Sequence, residues 1–233
     1  MPAPDESIAA IRDALTDRYG RPEPPAEGLD PFEAVLSVAL DRAVEARKRD
    51  RVLEALREEG LIEPQGLAEA DPEELDEVLR SAGLTLRRGT LAPLRKLARW
   101  VVDLHHGSLD ELAGTGGAVS TFELRDELRA VNGVGPASAD AILLFALGRP
   151  VYPLDRASYR ILARHGWIDP DASYEEAREV VERLAPDDPE TLAELSAWFE
   201  RLGRDHCRAT VARCEKCPLK PFLPEHGPID PNG

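Results

Sequence analysis

With 233 residues and 42% hydrophobic side chains, the chain can fold as one large domain or two small lobes around a real core. It has no apolar run of membrane-spanning length and opens on no secretory signal, so a soluble, cytoplasmic protein is expected. A net charge of −15 opposes binding to a polyanion unless cations gather locally.

In chain order, Glu6 to Tyr19 reads as an amphipathic helix with Ile8, Ile11 and Leu15 on one face. Gly20 to Gly28, GRPEPPAEG, cannot be helical and reads as a linker. Asp30-Pro31 opens a second helix, aspartate as N-cap and proline in the first turn. Phe32, Val35, Leu36 and Val38 line that helix, and the pattern predicts that it runs through a charged segment to Leu56. Asp71-Pro72-Glu73-Glu74 is a further start, with Glu74 placed for a capping box. Its helix ends at Ser81-Ala82-Gly83-Leu84, a glycine stop that leaves Leu84 exposed or, alternatively, in the core.

Thr90 to His105 points Leu94, Leu97, Trp100 and Val101 inward and Arg95, Lys96 and Arg99 outward. With Arg87-Arg88, these are the local clusters of cations. His105-His106 reads as a solvated helix end rather than a metal site, and Ser120 with Glu123 caps the next helix. Further on, Ser173 and Glu176 cap a helix to about Leu184, and Pro189 opens one that reaches Leu202.

The most informative stretch is Leu128 to Leu162. Gly133, Val134 and Gly135 make a hairpin between two apolar-periodic segments, and Pro136 stands at the first position of the helix that follows. Ala139, Ile142, Leu143 and Ala146 form its expected buried stripe. Backbone N–H groups converging at that turn form an anion site, although an αα-corner whose glycines serve packing fits the same residues. Asp155 then precedes a helix with Tyr159, Arg160 and Leu162, which it can cap. Three cysteines crowd into Cys207-x6-Cys214-x2-Cys217, a spacing suited to a 4Fe–4S cluster or zinc better than to a disulfide framework.

The run GVGPASADAILLFALGRPVYPLD followed by RASYRIL resembles the helix–hairpin–helix–Gly/Pro…Asp superfamily of base-excision DNA glycosylases, in its endonuclease III-like branch. The matching positions are Val131, Gly133, Gly135, Ala139, Asp140, Pro150, Pro153 and Asp155, the aspartate twenty residues beyond Gly135. The resemblance implies an all-α fold of two helical lobes flanking a DNA cleft. A six-helix barrel over 30–148 carries the helix–hairpin–helix at about 124–147. Residues 1–29 with 149–233 form the second lobe, which holds the cysteine loop 207–223.

By the same resemblance Asp155 is the catalytic residue. Gly133, Val134, Gly135, Ala137 and Ser138 bind duplex DNA, and Leu84 is a wedge into the base stack. Cys207, Cys214 and Cys217 are three ligands of a 4Fe–4S cluster. The chemistry stands without the family too: a carboxylate near C1′ stabilises the oxocarbenium-like charge of N-glycoside hydrolysis and orients the attacking water, while the base is rotated out of the duplex.

Three positions depart from the family pattern. The amide motif expected near 37–44 is absent, and Arg42 is the residue available to fill the gap left by a flipped base. The lysine of the bifunctional members is Ala137 here, and no lysine lies between Lys96 and Lys216. The fourth cysteine is Leu223, which leaves His206 and His226 as nearby donors.

The expected protein is a monomeric, nucleoid-associated DNA N-glycosylase without AP lyase activity, acting on an alkylated or mismatched base. The alternatives are a silent binder of damaged DNA or a helical protein-interaction module. An acid-rich, lysine-poor surface also suits high salt, where screening shortens repulsion from DNA, and predicts activity that survives molar salt.

Overall fold

The computed structural model describes residues 4–23, 28–41, 43–87 and 89–229. The described residues are helical with no strand, an all-α fold; one isolated β-bridge joins Cys207 and Ala212. Arg42, Arg88 and residues 24–27 of the expected linker lie outside the described residues. No described helix is long and apolar enough to cross a membrane.

The chain divides into two compact units. One, Pro25–Arg149, is built around α2 (Pro31–Asp41), in which Phe32, Val35, Leu36, Leu40 and even Ser37 are buried. Each fully buried leucine contributes about 1.5–3 kcal/mol. The helix expected to reach Leu56 breaks instead. The N–H groups of Ala43 and Val44 both donate to the Leu40 carbonyl, and extended Glu45 starts α3 (Ala46–Glu58). The break lets a highly charged helix, apolar only along Val52, Leu53, Ala55 and Leu56, lay that stripe against α2.

After α4 (Pro64–Glu69), α5 (Pro72–Ser81) has the expected capping box, with Asp71 accepting from the Glu73 N–H and Glu74 from the Asp71 N–H. It ends at Gly83, φ 67°, where the Leu84 N–H donates to the Leu79 carbonyl at 2.8 Å. That closure tucks the following apolar residue back onto the helix. Leu84 is accordingly 3% exposed, which corrects its reading as an exposed wedge.

On α6 (Ala92–His105) the inward residues are buried as expected, but His105 is not solvated. Its Nε2 lies 2.8 Å from Glu127 Oε2, which also accepts from Trp100 Nε1. α7 (Thr121–Ala130) and α8 (Pro136–Ala141) complete the unit.

The other unit, Met1–Pro24 with Pro150–Gly233, contains α1 (Pro4–Tyr19), α9 (Arg156–Arg164), α10 (Tyr174–Glu182) and α11 (Pro189–Asp205). Ile11 and Leu15 of α1, Ile161 and Leu162 of α9, and Leu195, Trp198, Phe199 and Leu202 of α11 are its core. Trp198 Nε1 donates to the Gly20 carbonyl, and Arg12 pairs with Glu194 at 2.9 Å, so α11 is fastened to α1 at two points. It crosses α9 closely: a Cβ on Gly203 would stand 2.4 Å from Ala157 Cβ.

Candidate functional site

The hairpin is assembled by local rules. Ser120 and Glu123 form the capping box that opens α7, and the Val134 N–H donates to the Val131 carbonyl to close the turn. Gly133 has φ 102°, and an added Cβ would press on Pro93 Cγ at 3.3 Å, so the fold itself demands glycine there. Gly135 is different. Its φ is −86° and a Cβ would meet nothing within 4 Å, so no contact inside the chain demands a glycine.

Among the described residues no acceptor within the chain takes the N–H of Gly133 or Gly135. Val134 is buried, while Ala137 and Ser138 lie half-buried in the first turn of α8. Lys96 Nζ donates to the Asn132 carbonyl at 3.2 Å and places one cation at the turn.

Two features stiffen this turn. Arg125 of α7 and Asp140 of α8, both buried, are joined by two hydrogen bonds. Beyond α8 the helix widens to a π-turn, Ile142–Ala146, in which the Leu147 N–H reaches back to the Ile142 carbonyl. The extra residue shifts the phase of the helix. Leu144 is therefore buried and Ala146 only half-buried, a correction to the expected stripe.

Asp155 belongs to the other unit and is the N-cap of α9. Its Oδ1 accepts from the Ser158 N–H at 2.7 Å, and among the described residues Oδ2 takes no hydrogen bond. The carboxylate is half-buried, held by one oxygen and open at the other. The preceding loop is pinned by Tyr152, whose N–H donates to Glu182 and whose hydroxyl meets Ser158 Oγ at 2.7 Å. Complete burial pushes the Tyr152 phenol far above its ordinary value, so it stays neutral beside the carboxylate.

In the same unit Cys207, Cys214 and Cys217 line one pocket of about 290 Å³, together with Arg164, His165, Leu202, His206 and Leu223. Arg164 Nη1 donates to Cys207 Sγ at 3.3 Å. Burial, and then the neighbouring sulfurs, raise the Cys217 thiol to about 11, and burial raises Cys214 as well. A bound cation reverses that preference, because a coordinating thiol deprotonates.

Both ring nitrogens of His165 face carbonyls, those of Ile161 and Leu219. His206 Nε2 is buried without a hydrogen-bond partner, an arrangement that costs about 1–3 kcal/mol unless a ligand satisfies it. His226 is exposed and is not part of the pocket wall. Among the described residues no three His, Cys, Asp or Glu side chains are set as a ready metal cage. The donors share a pocket without converging.

The description of the HhH-GPD superfamily of base excision DNA repair proteins matches residues 4–187. The chain belongs to that superfamily. A Methanocaldococcus jannaschii protein assigned to the DNA repair glycosylases is 32% identical over 93% of this chain and 96% of its own length. The endonuclease III of Thermotoga maritima is 26% identical over 82% of this chain and 81% of its own. A non-covalent endonuclease III–DNA complex has the same fold, with a TM-score of 0.68, 23% identity and 97% of each chain covered.

Within this HhH-GPD chain, the hairpin gathers Gly133, Val134, Gly135, Ala137 and Ser138 into one turn, and the pocket gathers the three cysteines. Leu84 is in the core of the first unit. Sequence reasoning missed Lys96 at the turn, the buried partner of Asp140, and the guanidinium on Cys207. Each joins residues at least 15 apart, and helix periodicity carries no signal for such pairs.

Proposed function

We propose that this base excision repair protein is a monofunctional DNA N-glycosylase with Asp155 as its catalytic carboxylate. The observation that carries the reading is the state of that side chain. One oxygen is fixed by the Ser158 N–H and the other is open, as needed to face a sugar cation and a water molecule. Tethering through Oδ1 holds the carboxylate in place during the reaction without consuming its whole charge.

The turn at Gly133–Ser138 is the phosphate grip. Its two N–H groups without an intrachain acceptor and the open space beside Gly135 both suit a close-lying anion. Contact through main chain also suits a protein of net charge −15, because it needs few basic side chains. Ala137 offers no amine for a Schiff base, so strand cleavage does not follow base release.

Cys207, Cys214 and Cys217 are the proposed ligands of a 4Fe–4S cluster. The shared pocket, the Arg164 contact to sulfur and the unsatisfied His206 nitrogen fit such a group. When bound, it cross-links the C-terminal loop and adds its binding free energy to folding.

A second reading, a binder of damaged DNA without catalysis, is favoured by the missing amide motif near 37–44 and by the burial of Leu84. The deciding assay offers the protein duplexes that each hold one damaged or mismatched base, worked up with and without alkali. Strand breaks that need alkali support the proposal and identify the base. Breaks without alkali overturn the monofunctional reading, and binding without any breaks overturns the enzyme.

A further inference from the structure

Cys207, Cys214 and Cys217 supply three donors, and the position where the family pattern puts a fourth is Leu223. Leu223 lines the same pocket as the cysteines, so the wall carries an isobutyl group where a donor is needed. His206 is on that wall too. It is 8% exposed, its Nε2 is buried, and among the described residues nothing hydrogen-bonds to that atom. Buried polar atoms are almost always satisfied, and the exceptions mark a partner still to be bound.

The other histidines do not compete. His165 shares the pocket but already faces the Ile161 and Leu219 carbonyls with its two nitrogens. His226 is exposed and outside it. His206 also has backbone freedom to adjust, since it lies just past the end of α11 with φ −123° and ψ −49°.

The geometry points to His206 Nε2 as the fourth donor, which completes a Cys3His set with Cys207, Cys214 and Cys217. This inference rests on the cluster reading above. A neutral imidazole among three thiolates leaves the site one negative charge short of an all-cysteine one, and Arg164 on Cys207 withdraws further electron density. Both changes raise the reduction potential relative to four thiolates.

The test uses the full chain, purified without oxygen, as wild type, His206→Ala, His206→Cys and His226→Ala. The readouts are iron, acid-labile sulfide and zinc per chain, the visible thiolate-to-iron band, and electron paramagnetic resonance after mild oxidation. Circular dichroism checks the helical fold. The expected wild type has iron and sulfide in equal amounts. His206→Ala loses iron and shows the three-iron signal, His206→Cys keeps the full cluster at a lower potential, and His226→Ala matches wild type.

A folded His206→Ala with wild-type iron content and spectra overturns the assignment. If His206→Ala does not fold, His206→Cys decides, and an unchanged spectrum and potential overturn the assignment equally. Wild-type protein free of iron and zinc overturns the cofactor reading itself, a failure seen before any variant is compared. Zinc in place of iron overturns the cluster, and the ligand assignment then stands or falls on whether His206→Ala loses that zinc.

Discussion

Arg125 Nε lies 2.5 Å from Asp140 Oδ1 and Arg125 Nη2 lies 3.1 Å from Oδ2, a two-point clamp between the helices on either side of the Gly133–Gly135 turn. Asp140 is fully buried and Arg125 nearly so, so neither charge tolerates loss of the other. Asp140→Ala is expected to destabilise the protein by about 3–5 kcal/mol, the usual penalty for a buried charge stripped of its partner. The double variant Arg125→Met, Asp140→Leu should lose less than the single one. Urea denaturation of the three proteins measures this, and a double variant as unstable as the sum of the two singles contradicts it.

The two hairpin glycines should respond differently to a methyl group. Gly133→Ala is strained by φ 102° and by Pro93, and should lose more than about 1 kcal/mol of stability. Gly135→Ala meets open space and should melt like the wild type, yet bind duplex DNA more weakly because the methyl intrudes on the phosphate. Melting curves and salt-controlled DNA titrations of the two variants separate the roles.

Gly203 is a packing glycine. A Cβ there collides with Ala157 Cβ at 2.4 Å, so Gly203→Ala should destabilise by about 1–3 kcal/mol. Adding Ala157→Gly should recover part of that loss. A double-mutant cycle with no coupling between the positions would contradict the close crossing of α9 and α11.

The helix caps were legible because their signals are local. Asp71 with Glu74, Ser120 with Glu123 and Ser173 with Glu176 each lie three residues apart, and all three boxes form. The N-cap role of Asp155 was readable for the same reason. The break before Glu45 was not, because no glycine or proline marks it and the competing term is burial of the α3 stripe. Leu84 was ambiguous at a glycine stop, since the same pattern precedes both an exposed and a tucked residue. At the cysteines the spacing pointed to soft-metal ligation, but the unsatisfied nitrogen of His206 exists only once the chain is folded.

Two of those boxes predict a pH dependence. The Ser120 hydroxyl and N–H hold Glu123 below the ordinary glutamate value, and the Ser173 N–H and hydroxyl do the same for Glu176. A carboxylate with a depressed folded pKa stabilises the fold above its unfolded value, about 4.3, and that contribution disappears as pH falls through the folded value. Glu123→Gln with Glu176→Gln should therefore flatten the acid limb of the stability profile and leave its slope near neutrality unchanged. Thermal melting between acid and neutral pH reads both slopes.

The claim at the centre of this account is the carboxylate of Asp155, and the most direct measurement is single-turnover base release by Asp155→Asn. Asparagine keeps an oxygen for the Ser158 N–H and so preserves the helix cap, while removing the charge. The expected variant has wild-type helicity, melting temperature and DNA affinity, with base release reduced by about 10²–10⁴-fold or more. Wild-type release rates from a folded Asp155→Asn protein would contradict the account.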